Sequence, residues 1–278
     1  MKVVLSKYAG ACYGVQRALD LAESAIMGGE SAVTLGPIIH NPKVVAQLTE
    51  QGIRAISSLD EAQDSMVIIR SHGVTPQVME EIKARHLEVV DATCPHVARA
   101  QKAAEELAQK GCTVVVVGEE GHPEVEGLTA YARKGGACAY VVKDPSDLPH
   151  DLQQPVGVVV QTTQKREALD AVVSALEKQG ITPLVSNTIC FATRQRQDAA
   201  AALSSQVDAM IIIGGKNSSN TTRLFEICRA IAPAAYHIED ICDIDPLWFK
   251  ECSIVGVSAG ASTPEAQIQE LMDYLEQL

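Results

Sequence analysis

Aliphatic and polar positions along this chain come in blocks rather than in strict alternation. Val67-Ile68-Ile69 leads into the polar turn Arg70-Ser71-His72-Gly73 and then into the amphipathic stretch Pro76 to Ile82. The block recurs at Val114 to Val117, Val156 to Val160, Met210 to Ile213 and Ile254 to Val257, each followed by a polar loop and an amphipathic segment. Near-continuous Val and Ile runs indicate strands covered on both faces. With helices between them, they predict an α/β fold with parallel sheets built from βα units. Pro76, Pro123 and Pro264 are expected in first helical turns, where proline's missing N–H is not needed.

Short echoes suggest internal duplication. His72-Gly73-Val74-Thr75-Pro76 resembles His122-Pro123, and Asp91-Ala92-Thr93-Cys94 resembles Asn187-Thr188-Ile189-Cys190. They predict similar small α/β lobes, drawn at residues 1–95, 96–190 and 191–278, with the first strand free to join the third lobe. No low-complexity or Gly/Ser-rich linker marks the borders.

The 278 residues suffice for one large or two to three small domains. With 46% hydrophobic, 4% aromatic and 21% charged residues, the composition is that of a soluble protein with an aliphatic core. No apolar run reaches the roughly 18 residues of a membrane span, and no secretory signal is visible at the N-terminus. A cytoplasmic protein without membrane contact is expected, its eight cysteines serving as thiols or metal ligands rather than disulfides. The net charge of −12 argues against a nucleic-acid partner. It leaves room for a small phosphorylated substrate, which helix N-termini and Ser, Asn and His donors bind locally.

Three cysteines stand in loops that follow strand runs: Cys12 in Gly-Ala-Cys-Tyr-Gly, Cys94 in Asp-Ala-Thr-Cys-Pro and Cys190 in Asn-Thr-Ile-Cys-Phe. Ligands in parallel α/β proteins converge at such carboxyl ends. Three thiolates can hold an iron–sulfur cluster by three corners and leave one iron open. With no Cys-x-x-Cys pair, spacing and position alone leave unliganded loop cysteines as the plainer reading. Cys112, Cys138, Cys228 and Cys252 read as small core residues, and the acidic neighbours of Cys242 should raise its pKa. His40, His72 and His122 follow aliphatic runs and adjoin Gly, Asn or Pro. Zinc is a competing use for such histidines, although no pair has zincin or zinc-finger spacing.

Ser218-Ser219-Asn220 follows Ile213-Gly214-Gly215 and reads either as a helix cap or as an anion cradle backed by the helix dipole. It is not a P-loop, because the glycine-to-lysine spacing is wrong. Ser258-Ala259-Gly260-Ala261-Ser262-Thr263-Pro264 repeats the arrangement, and two such turns suit a diphosphate. Glu124, two residues after His122, either complements a helix dipole or, if desolvated, serves as a proton donor.

In order along the chain, Gly10 to Val15, Gly36 to Asn41, Arg70 to Gly73, Asp91 to Pro95, Gly121 to Glu124, Gln161 to Thr163, Gly214 to Asn220 and Ser258 to Ser262 resemble the motifs of the 4-hydroxy-3-methylbut-2-enyl diphosphate reductase family. The likeness spans essentially the whole chain. One local departure is Lys7-Tyr8-Ala9-Gly10-Ala11 ahead of Cys12, where many members carry an Arg-Gly pair.

The resemblance implies three lobes in pseudo-threefold arrangement around a [4Fe–4S] cluster, held by Cys12, Cys94 and Cys190 with one open iron. It implies that His40, His72, His122, Ser218, Ser219, Asn220 and Ser262 hold the substrate diphosphate. Thr162 and Thr163 would contact the substrate, and Glu124 with Thr162 would deliver protons. The implied reaction is a two-electron reductive dehydroxylation giving isopentenyl and dimethylallyl diphosphate, fed by a one-electron donor such as flavodoxin or ferredoxin. Other readings of the residues stay open: a quinolinate synthase-like condensation, a cluster-bearing sensor or electron carrier, and a metal-free phosphate-binding protein.

Overall fold

Each aliphatic run closes into a short strand because its alternate residues find a hydrophobic partner on both sides of a sheet. A computed structural model describes residues 1–27, 31–62 and 66–278. The chain begins β1 (Lys2–Leu5), α1 (Tyr13–Ile26), β2 (Ala32–Leu35), α2 (Pro42–Glu50), β3 (Ile53–Ile56), β4 (Met66–Ile69), α3 (Pro76–Ala84) and β5 (Val89–Asp91). It continues α4 (Pro95–Gln109), β6 (Thr113–Val117), α5 (Pro123–Lys134), β7 (Ala139–Val142), β8 (Val156–Val160), α6 (Arg166–Lys178) and β9 (Leu184–Ser186). Last come α7 (Phe191–Ser204), β10 (Ala209–Ile213), α8 (Ser219–Ile231), β11 (Ala234–Ile238), β12 (Ile254–Ala259) and α9 (Glu265–Glu276).

The strands form three parallel four-stranded sheets, in the orders β3-β2-β4-β5, β7-β6-β8-β9 and β11-β10-β12-β1. The three orders are one topology repeated. In the third sheet the fourth position is filled by the N-terminal strand β1, which pairs with β12 from Lys2↔Ile254 to Leu5↔Val257. The α/β architecture with parallel sheets is therefore as the hydrophobic pattern predicts.

Two compact units partition the chain. One contains Met1–Gln16, His40–Val44 and Phe191–Leu278 and holds the third sheet; the other contains Arg17–Ile39 and Val45–Cys190 and holds the first two. The central strands are buried on both faces. In β10, Ile211 and Ile213 pack with Val255, Val257 and Leu271, while Met210 and Ile212 pack with Ala200, Leu224 and Cys228. In β6, Val114 and Val116 face Leu107 and Leu128, whereas Val115 and Val117 face Leu169 and Val172.

Two sequence expectations change in detail. Pro264 is the cap residue of α9 rather than part of its first turn. Cys112 and Cys228 are buried as expected, but Cys138 is exposed and Cys252 half-buried. Cys138 leads into β7, an edge strand of its sheet, where one side has no neighbouring strand to cover it. Among the described residues, no helix is long and apolar enough to cross a membrane.

Candidate active site

The repeated topology sorts the singled-out residues into three equivalent sets. Loops after β2, β6 and β10 carry His40, His122 and Ser218 to Asn220. Loops after β4, β8 and β12 carry His72, Thr162 with Thr163, and Ser262. Loops after β5, β9 and β1 carry Cys94, Cys190 and Cys12. The motif echo between His72 and His122 is therefore out of step by one strand: His122 corresponds to His40, and His72 to Thr162. The echo between Cys94 and Cys190 marks true equivalents.

Each cysteine stands directly before the first residue of a helix, α4, α7 or α1, and is half-buried. Each also donates its backbone N–H into the neighbouring loop of its own sheet. Cys94 reaches Ser71 O at 2.9 Å, Cys190 reaches Thr162 O at 2.9 Å and Cys12 reaches Ala261 O at 3.1 Å. The Cys94 side chain makes no capping hydrogen bond on α4. A cysteine at the start of a helix sets its sulfur, a soft donor suited to a metal, at the carboxyl end of the sheet. Burial pushes the Cys112 and Cys228 thiols up, and a hydrogen bond with Asp240 raises that of Cys242.

In the unit with the first two sheets, Glu124 is 1% exposed in the first turn of α5. Its carboxylate accepts from Thr162 N at 2.6 Å and Thr162 Oγ1 at 2.9 Å. Burial pushes the carboxyl up to about 7, against the two Thr162 hydrogen bonds that favour the charged form. His122 caps the same helix, its Nδ1 accepting from Glu124 N at 3.1 Å, which leaves Nε2 to carry the ring hydrogen of the neutral form. The His72 ring meets the His122 ring edge-on at 5.5 Å between centroids. Thr163 Oγ1 accepts from Gln161 Nε2 at 3.1 Å. A continuous path thus runs Cys94–Ser71–His72–His122–Glu124–Thr162–Cys190 within one unit.

Beneath the His72 turn sits Gln101 of α4. Gly73 adopts a φ of 70°, and a Cβ there would lie 2.6 Å from the Gln101 amide nitrogen. A Cβ on Gly127 of α5 would lie 3.0 Å from the same atom. The two glycines let three backbones close around one amide.

In the other unit, Ser218 caps α8 through Thr221 N, and Ser219 and Asn220 open that helix, all three buried. Asn220 is 3% exposed, and neither its Nδ2 nor its Oδ1 has a hydrogen-bond partner among the described residues. Ser258 Oγ and Thr221 Oγ1 are buried in the same condition. Buried polar atoms are normally satisfied, and the unpaired Nδ2 and hydroxyl donors at this helix N-terminus have the capacity to hydrogen-bond an anion. Ser262 Oγ donates to His40 O at 3.0 Å, tying the His40 turn to the Ser262 turn.

Sequence reasoning did not single out Gln101, Asn41 or Gln267, which support these turns from behind. Only the Asn41-Pro42 pair, a cap followed by a first-turn proline, hinted at a role; Gln101 and Gln267 read as ordinary helix residues.

Residues 3–276 match the family model for the LytB protein. The chain is 47% identical over 281 residues to 4-hydroxy-3-methylbut-2-enyl diphosphate reductase of Geotalea uraniireducens (strain Rf4), covering 100% of this chain and 98% of the relative. It is 47% identical over 278 residues to the protein of that name from Geobacter sulfurreducens, covering 100% and 98%. A solved structure of (E)-4-hydroxy-3-methyl-but-2-enyl diphosphate reductase, described as the terminal enzyme of the non-mevalonate pathway, superposes with a TM-score of 0.73 at 41% identity, covering 100% of both chains. The E-1-hydroxy-2-methyl-but-2-enyl-4-diphosphate reductase of Plasmodium falciparum superposes with a TM-score of 0.89 at 26% identity, covering 99% of this chain and 87% of that one. A match that runs nearly end to end, in sequence and in fold, leaves one assignment: the chain belongs to the LytB protein family.

Proposed function

We propose that the protein reduces 4-hydroxy-3-methylbut-2-enyl diphosphate to isopentenyl and dimethylallyl diphosphate, with Cys12, Cys94 and Cys190 as the ligands of a [4Fe–4S] cluster. What supports the ligand set is soft sulfur at three topologically equivalent helix N-termini, a donor type suited to iron–sulfur ligation. When bound to these cysteines, the cluster would supply single electrons and Lewis acidity toward the allylic hydroxyl. A one-electron donor of the flavodoxin or ferredoxin type feeds it in the cytoplasm.

The residues divide the remaining work. His40, His72, His122, Ser218, Ser219, Asn220 and Ser262 hold the diphosphate through hydroxyl, amide and imidazole groups, so binding needs no basic surface on a chain of net charge −12. Thr162 and Thr163 orient the hydroxyl end. Glu124 gives its proton to the departing oxygen, which leaves as water, and Thr162 Oγ1 passes protons to and from its carboxylate. Two electrons and two protons thus convert C–OH to C–H and water. Protonation at one or the other end of the allyl unit yields the two products.

The observation that carries this reading is Glu124: a fully buried carboxyl, held by two bonds from Thr162 and raised to about 7, is set to give a proton near neutral pH. The test is anaerobic purification with iron and sulfide analysis, then incubation with the allylic diphosphate with and without a chemical reductant. Product should form only with reductant and only in iron-loaded protein. Turnover without reductant, or by iron-free protein, would sink the proposal.

A further inference from the structure

Behind the proposed phosphate-binding turns of the unit containing the third sheet lies a chain of buried hydrogen bonds. Asn41 Nδ2 donates to Ser262 O at 2.9 Å and to Gln267 Oε1 at 3.2 Å, while its Oδ1 accepts from Val44 N at 3.3 Å. Gln267 Nε2 donates to Glu239 O at 2.7 Å, and the Glu239 carboxylate accepts from Lys216 N at 2.7 Å. Ser262 Oγ donates to His40 O, and a Cβ on Gly215 would lie 2.7 Å from that same oxygen. Asn41 is 2% exposed and Gln267 7%. Every partner of Asn41 Nδ2 is an acceptor and the partner of its Oδ1 is a donor, so the amide has one orientation.

We infer that Asn41, braced by Gln267, is a positioning residue that locks the His40 turn to the Ser262 turn and so presets the diphosphate pocket. This rests on the proposed reductase function. A serine hydroxyl has a single proton, and that of Ser262 is directed at His40 O. To donate to a phosphate oxygen, Ser262 must release that carbonyl. The bond from Asn41 to Ser262 O then becomes the direct link between the two turns, at the moment when the ligand needs them fixed. Asn41 therefore matters more to the bound state than to the free one, and its loss falls on affinity more than on folding. Lys43 pairs with Asp240 and Glu270 near the same segment, but it is half-exposed and contributes little.

The experiment uses iron-loaded protein purified anaerobically, with steady-state kinetics on the allylic diphosphate and calorimetric titration with inorganic diphosphate. Asn41→Ala and Gln267→Ala should each raise KM and weaken inorganic diphosphate binding about ten-fold, with kcat within about two-fold of wild type. The double variant should be hardly worse than either single, because the two amides act as one unit. Asn41→Asp keeps the Val44 cap yet turns a carboxylate toward Ser262 O, so it should lose affinity as badly as Asn41→Ala. Gln267→Ala decides the matter if Asn41→Ala does not fold. Iron-loaded variants with lower thermal midpoints but undiminished diphosphate affinity would reduce the clasp to a structural contact and overturn the inference alone. Wild-type protein that neither binds inorganic diphosphate nor turns over the allylic diphosphate would overturn the reductase function and this inference with it.

Discussion

The turns after β6 and β8 and the turns after β10 and β12 occupy the same places in their sheets, yet they are chemically opposite. In the former, Glu124 and Thr162 satisfy each other: the buried acid accepts two hydrogen bonds, and the threonine hydroxyl donates its proton to it. In the latter, the buried amide of Asn220 and the hydroxyls of Ser258 and Thr221 have no partner among the described residues. One pair of turns stores a titratable proton. The other keeps unspent hydrogen-bonding capacity, a cost that the proposed diphosphate ligand would recover. The sheets share one topology, while the side chains at equivalent positions differ, which supports the proposed placing of proton transfer in the first pair of turns.

The largest expected effect removes what all three sheets share. Cys94→Ser or Cys190→Ser should abolish bound iron and turnover together, while Cys138→Ser, at an exposed edge, should change neither. Iron analysis beside a turnover assay checks this, and an iron-replete, active Cys190→Ser protein would remove the cysteine from the ligand set.

Next, Glu124→Gln should lower turnover by about 10²–10⁴-fold while leaving inorganic diphosphate affinity within a few-fold of wild type. An equal loss of affinity would erase the division of labour between the two pairs of turns. The pH dependence follows from the same residue. Its folded pKa, about 7, lies above the ordinary 4.5, so the fold favours the protonated form. Turnover that needs this proton should fall as pH rises through about 7. By linkage, the stability from protonated burial is fully present below about 4.5 and is lost as pH rises through about 7, a swing of roughly 3 kcal/mol. In Glu124→Gln that swing should be absent from thermal midpoints measured across the interval.

The smallest effect sharpens the contrast. Asn220→Leu should weaken inorganic diphosphate binding about ten-fold while leaving the unliganded protein as stable or up to about 1 kcal/mol more stable, because an unpaired buried amide is removed. Substantial destabilisation would mean that the amide is already satisfied, and the two pairs of turns would differ less than proposed.

Much of the frame was legible in the chain. The runs Val114 to Val117 and Met210 to Ile213 are buried on both faces as strands, and the helices follow them, because a residue's two-faced burial is written in its immediate neighbours. Loop position set Cys12, Cys94 and Cys190 apart from Cys112, Cys138, Cys228 and Cys252, whereas Cys242, also in a loop after a strand, was set aside for its acidic neighbours. The duplication was partly misread. His72 and His122 share a Gly- or Pro-flanked loop, but loop composition reports local turn geometry, whereas equivalence depends on which strand each loop follows. Gln101 and Gln267 gave no signal, because a glutamine on a helix looks the same whether it meets water or a neighbouring turn.

The sequence by itself determined the alternation of strand and helix, the thiol, hydroxyl and imidazole inventory, and the placing of that inventory in loops at strand ends. These follow from short-range periodicity and from the conformational demands of Gly and Pro. Only the tertiary structure decided that β1 completes the third sheet, that Glu124 meets Thr162, that Asn41 grips Ser262 and that the Asn220 amide stands unpartnered. The first three join residues distant in the chain and the fourth is the lack of any such partner; contacts across such separations are fixed by how packed layers fill space rather than by any local pattern.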